Sequence, residues 1–384
     1  MKIAFISHVL PADTAASQVT FYRHFKELKH AEFLFYSAMM DTTSLPGNVV
    51  KVDYPGWLRR ITNTRLHKMV ETIVDYTNFP PASIKPIAAE LRRSEVDVIV
   101  TLAHGREAWL ALACAQATGI PLISFFHDDF WTGVKSRERF FAKLAARSRI
   151  CFCVSPRMLA NFQKYTANAR LLWPVGESSA IIPPKPGKID GQKWVILHTG
   201  TIYQYLEEPI LALARAFKTH PEIEFWSTGK PKGWSEAGVK EFNDSGSALG
   251  FLSREELRKT FERADVLLSI TPFGEPYRSW VSSYFPSKVV EYSRIMRPIV
   301  VWAPAETAIS DWAKSSRAAL AVNSEDSGKV IQAIVQLVKD QDLRTSLIEC
   351  LQQVTDTEFN PRVLQQQFEE ALGSVVKESK LWHG

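Results

Sequence analysis

Short, continuously apolar runs alternate with helix-period segments along the chain. KIAFIS at residues 2–7, a helical pattern near Gln18 to Leu28 and AEFLFYS at 31–37 open it; VDVIVTL, EAWLALACAQAT, PLISFF and ICFCVS carry it on. Runs without apolar–polar alternation belong to strands covered on both faces, which predicts parallel sheets with crossover helices. Residues 176–193 break the pattern: Pro183, Pro184, Pro186 and three glycines carry no periodic apolar positions and read as a linker. The alternation restarts with WVILHTG, a helix near Glu207 to Thr219, IEFWST, a helix near Arg254 to Arg263, DVLLSI and PIVVW, and residues 361–380 again look helical. The expected fold is α/β, with two doubly wound Rossmann-like domains. They span 1–178 and 194–360, joined by a linker at 179–193 and followed by a helix in 361–384.

Composition supports two cores. A chain of 384 residues, 46% hydrophobic and 23% charged, is too long for one compact core and too apolar for disorder. Cys114, Cys151, Cys153 and Cys350 show neither metal nor disulfide spacing, so reduced thiols and a cytoplasmic location are expected. IAFISHVL is a short apolar run that leads into Pro11 and Asp13, which predicts no export signal. No apolar stretch reaches about 18 residues, which predicts no membrane-spanning helix.

Charge is uneven. Residues 1–190 hold 24 Lys and Arg against 16 Asp and Glu, the remainder 22 against 25. The excess includes Arg59, Arg60, Arg65 and Lys68, and the segment VKSRERFFAKLAARSR, where basic residues are interleaved with Phe140, Phe141 and Leu144. That segment fits two arrangements. It lies on an anionic bilayer with its aromatics inward, or it packs on a sheet through Phe141, Leu144 and Ala145. No nucleic-acid recognition module is present, and nucleic acid is not an expected partner.

Candidate chemistry sits just after the predicted strands. In FPSKVVEYSRIMRPIVV, residues 285–301, Pro286 suits a helix start, followed by Ser287 and Lys288, with Glu291 one turn on. Unpaired amides at a helix start and the Lys288 charge suit a phosphorylated ligand. Glu291 then accepts from a ribose diol, or pairs with Lys288 or Arg294. PLISFF ends in His127-Asp128-Asp129, where His127 either meets a sugar or phosphate oxygen or closes a turn. His104 follows another strand-like run. Gly200 and Thr201 follow WVILHT, with Tyr203 and Tyr205 able to cover a base or sugar, and GFLSREEL places Phe251 and Leu252 before a helix. Adjacent Asp128 and Asp129 lack further spaced ligands, so no metal site is expected. With no glycine before Gly47, a nicotinamide or flavin phosphate turn is absent.

The Pro-Ser-Lys helix start, the Gly-Thr-x-Tyr turn and the two-domain alternation resemble GT-B glycosyltransferases of family 4 along essentially the whole chain. The resemblance implies two domains facing each other across a cleft, with the terminal helix crossing back to the first. It also implies a retaining, metal-independent hexosyl transfer from a nucleotide diphosphate sugar to an acceptor hydroxyl, in glycan, polysaccharide or glycolipid biosynthesis. The donor is then a co-substrate, and no separate cofactor is needed. Glu291 would hold the ribose and His127 would face the transferred sugar. Ser287, Lys288, Gly200, Thr201, Tyr203, Phe251 and Leu252 would line the donor, while Ser17, His104 and Asp128 would lie on the acceptor or sugar side. The implied acceptor is a glycan or a lipid-linked molecule; the charge of the basic first half, read by itself, adds peripheral contact with an anionic membrane as an expectation.

Three features depart from the family pattern. Ala15-Ala16-Ser17 stand where glycines are common. The Thr201–Glu208 loop lacks an arginine–lysine pair, which leaves Lys288 with Lys230, Arg254 or Arg278 as helpers. Ser283 occupies the place of a glutamate eight residues before Glu291, with Glu275 as a substitute. These departures keep open a non-catalytic nucleotide-sugar-binding protein of the same shape. A nucleotide-sugar epimerase is a third reading, although its acid pair has no evident place.

Overall fold

The computed structural model describes the backbone of residues 1–14, 16–38, 42–52, 81–128, 135–178, 181–185, 188 and 191–383, and their side chains except at 16, 17, 81–83, 135–137 and 379–383. Two compact units result, Met1–Val175 with Arg362–Gly384, and Gly176–Pro361. Arg59, Arg60, Arg65, Lys68, Ala15, Asp129 and the side chain of Ser17 lie outside the described residues.

In the first unit the strands are β1 (Lys2–Ile6), β2 (Glu32–Ser37), β3 (Asn48–Lys51), β4 (Val98–Leu102), β5 (Leu122–Phe126), β6 (Ile150–Cys153) and β7 (Ala169–Leu171). They form a parallel sheet in the order β3-β2-β1-β4-β5-β6-β7. Every residue of β4, β5 and β6 is buried, as continuous apolar runs require when helices cover both faces. Phe5, Phe21, Phe25 and Phe35 form the centre of one face. The helix Pro361–His383 completes it: Phe368 packs on Phe25, Phe125 and Phe152, and Gln365 holds His24 through both its amide atoms.

The basic helix Lys135–Arg147 uses its aromatics inside the protein. Phe140 stacks on Trp109 at 3.7 Å and Phe141 packs on Phe126, while Leu144 and Ala145 are fully buried. Of the two arrangements its sequence fits, insertion of these aromatics into a bilayer is therefore ruled out.

In the second unit, β8 (Trp194–His198), β10 (Ile223–Thr228), β12 (Ala248–Gly250), β13 (Val266–Ile270), β14 (Ile299–Trp302) and β15 (Ala319–Val322) form a parallel sheet in the order β12-β10-β8-β13-β14-β15. The short strands β9 (Ile202–Tyr203) and β11 (Pro231–Lys232) pair beyond its carboxyl edge. Ile196, Phe225, Leu268 and Val300 meet Ile210, Leu213 and Ile334 of the covering helices. Caps mark the helix starts by sequence: Ser253 and Glu256 form a reciprocal capping box.

The described part of the segment between the sheets is anchored rather than free. Ile182 N donates to Arg294 O at 2.9 Å, and Lys185 and Lys188 reach the buried Asp265 at 2.9 and 2.8 Å. Asp265 also accepts from Val195 N at 2.8 Å, so one carboxylate ties the incoming chain to the start of β8. Among the described residues, no helix is long and apolar enough to cross a membrane.

Candidate functional site

Strand order reverses direction between β8 and β13, and open α/β sheets bind ligands beyond the carboxyl ends at such a point. The helix Ser287–Ser293 lies against this point through two side chains. Tyr292 Oη accepts from Thr199 N at 3.0 Å, lies 3.0 Å from Thr199 Oγ1, and donates to Leu268 O at 3.4 Å, so it bridges the end of β8 and the middle of β13. One turn earlier, Lys288 points inward.

The Lys288 ammonium donates to His198 Nε2 at 3.2 Å, and His198 Nδ1 lies 3.0 Å from Ser227 Oγ on β10. An ammonium has only protons to give, so Nε2 must be the acceptor and Nδ1–H the donor. Burial holds His198 well below the usual histidine range, and the Lys288 charge lowers it further. Burial also brings Lys288 down to about 8, although the residue keeps part of its surface exposed. The result is a cation fixed by a neutral acceptor and short of solvent.

Two glycines turn the backbone beside it. Gly200 has φ +110°, and a Cβ there would lie 3.6 Å from Lys288 Nζ. Gly229 has φ +116°, and a Cβ there would run into Gly200 O. The turns after β8 and β10 thus pack backbone to backbone beside the ammonium. Gly229 N continues outward to Gly250 O at 2.7 Å, at the end of β12, and Phe251 follows with 76% of its surface exposed.

Glu291 is half-buried, and its Oε2 accepts from Glu177 N at 3.4 Å. Arg294 feels its charge, which partly offsets the lowering of that guanidinium by burial. These contacts fit the pairing of Glu291 with Arg294. Thr201 is exposed, Ser287 and Leu252 half-buried. Tyr203 stacks with Tyr205 at 5.6 Å, and Tyr205 packs on Tyr277 and Trp280. Of the proposed helpers, Lys230 and Arg254 are exposed, whereas Arg278 pairs with Glu275 at 2.7 Å, so these two satisfy each other. Ser283 is fully buried.

The first unit has its own reversal, between β1 and β4. His8 follows β1, His104 follows β4, and their rings lie 4.3 Å apart. Burial and the neighbouring His104 push His8 down to about 3, and its Nδ1 is buried without a partner among the described residues. Glu107, almost fully buried, accepts from Ala38 N beyond β2 at 3.2 Å. His127, after β5, stacks on Phe21 at 5.7 Å; burial and nearby His24 bring it down to about 4. Asp128 is half-buried beside it. Among the described residues, no three His, Cys, Asp or Glu side chains are placed to hold a metal ion.

This architecture has known counterparts. Over 97% of the chain superimposes on 100% of Anabaena Alr3699/HepE in complex with UDP, with a TM-score of 0.71 at 14% identity. The GT-B fold is thereby established. HepE in complex with UDP-glucose matches at a TM-score of 0.68 and 13% identity over 97% of this chain and 100% of that one. Sucrose-phosphate synthase from Thermosynechococcus elongatus matches at 0.70 and 12%, over 98% and 99%. Residues 21–172 match the family model Glycosyltransferase Family 4, as expected of a family 4-like GT-B chain. No curated protein sequence matches.

Within this GT-B frame, the second unit brings together Lys288, Gly200 and, through backbone neighbours, Thr201. Ser287 and Glu291 share their helix, while Phe251 and Leu252 stand two strands away, at the end of β12. His127, Asp128 and His104 belong to the first unit. Sequence reasoning missed His198, Ser227, Tyr292, His8 and Glu107. His198 was the discoverable one: a histidine ending an otherwise apolar strand, immediately before a Gly-Thr turn, is a strand-end polar residue of the kind singled out at His127.

Proposed function

We propose that the protein is a retaining glycosyltransferase that moves a hexose from a nucleotide diphosphate sugar to an acceptor hydroxyl. The observation that carries this reading is the inward Lys288 ammonium, held by neutral His198 beside the Gly200 turn. As the bond to the sugar breaks, negative charge gathers on the departing diphosphate, and a fixed cation with little solvent around it stabilises that charge more than a mobile surface lysine would. A bound diphosphate also raises the Lys288 pKa, which keeps it protonated through the reaction. Glu291 anchors the ribose, Gly200, Thr201, Tyr203, Ser287, Phe251 and Leu252 line the donor, and His127 orients the sugar. His104, Asp128 and Ser17 serve the acceptor or sugar side. His127 acts as a neutral donor or acceptor across the physiological range, because burial keeps it uncharged there.

Transfer needs no resident metal in this scheme, since Lys288 supplies the charge. The HepE complexes with UDP and UDP-glucose make a uridine diphosphate sugar the first donor to try. Incubation with UDP-glucose and a panel of glycan and lipid-linked acceptors, with the product anomer read by NMR, tests the proposal. A product with the donor's anomeric configuration supports it, and inversion refutes the retaining step. Buried Ser283, in the place of the resembled family's glutamate, favours one rival: a binder without turnover. Saturable donor binding with neither transfer nor hydrolysis would establish it.

A further inference from the structure

The first unit contains a cavity of about 750 Å³ between the helices Pro81–Arg93 and Gly105–Thr118, with Lys143 contributed by Lys135–Arg147. Its walls are two helical stripes. Lys85, Ala88 and Arg92 recur at one-turn spacing on the first helix, and Trp109, Leu112 and Gln116 on the second. Alanines at 88, 89, 113 and 117 leave the space that larger side chains would fill. Among the described residues, the lining includes three cations, Lys85, Arg92 and Lys143, and no carboxylate.

Lys85 and Lys143 are exposed, so their ammonium groups stand at the water side of an apolar interior. Lys143 Nζ lies 6.0 Å from the centre of the Trp109 ring, and Arg92 donates to Ala117 O across the two helices. A small inorganic anion would leave the apolar walls unfilled, and a hydrocarbon would leave the cations unused. A molecule with an anionic head and an apolar chain uses both.

We propose that this cavity takes the headgroup and proximal chain of an anionic phospholipid and so docks the first unit on an anionic bilayer. The assignment is independent of the donor reading above. The local excess of basic residues in the first half of the chain steers it toward the same surface.

The test is co-sedimentation of the full chain with vesicles of equal parts phosphatidylglycerol and phosphatidylcholine, against vesicles of phosphatidylcholine alone. The unsubstituted protein should bind the mixed vesicles and leave the neutral ones. Lys85→Ala with Lys143→Ala should weaken binding about thirtyfold, from the typical contribution of a lysine near an anionic surface. Ala113→Phe keeps every charge but fills the space; by excluding about two methylenes of the chain it should weaken binding about tenfold. If Ala113→Phe does not fold, Ala117→Leu, at an exposed position, fills the other end. Undiminished binding by the folded space-filling variant overturns the cavity, because a diffuse basic surface would then suffice. So does equal binding to neutral vesicles, absence of binding to mixed ones, or full displacement by millimolar inorganic phosphate. The UDP-glucose response of these variants should match that of the unsubstituted protein, so a failed donor reading and a failed lipid site are told apart.

Discussion

Replacing Lys288 by Met separates what the residue costs the fold from what it does for the ligand. Burial lowers its pKa from 10.5 to about 8, which corresponds to about 3 kcal/mol of destabilisation whenever both folded and unfolded states are protonated, that is, below pH 8. Methionine of similar length removes that cost. It also leaves His198 Nε2 without its donor, which costs about 1–3 kcal/mol. The apoprotein of the variant should therefore melt at the same temperature as the parent or a few degrees above it. Ligand response should change the other way. A donor at a hundredfold excess over its dissociation constant stabilises the parent by about 2.7 kcal/mol. Losing one charge-assisted contact weakens binding about 10- to 100-fold, and the same donor concentration should then stabilise the variant by only about 0.4–1.4 kcal/mol. Thermal unfolding with and without UDP-glucose reads both quantities.

The pH dependence gives an independent check. Between pH 8 and 10.5 the unfolded lysine is protonated and the folded one is not, so apoprotein stability contains a contribution that rises with pH across that window. Donor affinity should fall over the same range, as the cation is lost. Neither trend should survive in the methionine variant. A variant clearly less stable than the parent that still responds fully to UDP-glucose would refute the reasoning, and Lys288 would then be a packing residue.

Three further outcomes follow from the geometry. Glu291→Ala should abolish the UDP-glucose shift and leave the apoprotein melting point within about 2 °C; a large destabilisation would mean that Glu291 only braces Glu177 and Arg294. Asp265→Ala strands Lys185 and Lys188 and the Val195 amide around an emptied, buried position, and urea unfolding should show a loss of about 3 kcal/mol or more; a loss under about 1 kcal/mol would make the anchor incidental. Burial keeps His24 and His127 neutral down to about pH 4, whereas their unfolded counterparts take up protons below about 6.5. Stability should consequently fall as pH drops from 6.5 toward 4, and a melting temperature flat over that range would contradict the burial of both rings.

Much of the architecture is legible in local pattern. The uninterrupted apolar runs that become β4, β5, β6 and β13 announce strands covered on both faces, and the proline-rich break marks where one unit ends. Lys288 and Gly200 can be read from their motifs, because a helix start and a strand-end glycine are local events. The amphipathic helix Lys135–Arg147 marks the limit of that method. Its basic and aromatic residues fit a bilayer as well as a sheet, and only the partners of Phe140 and Phe141 decide between them.

By itself, the order of residues determined the elements, their α/β alternation and the corners where chemistry is possible, since periodicity and turn preference act over a few residues. Tertiary structure alone decided which corners meet. His198 and Lys288 are 90 residues apart, and Thr199 and Tyr292 are 93 apart. They touch because β8 and β13 became neighbours, and strand order depends on how the whole set of apolar faces is buried. The same holds for His8 and His104 across β1 and β4. The low pKa of Lys288 arises from that burial too, and no motif encodes the removal of water.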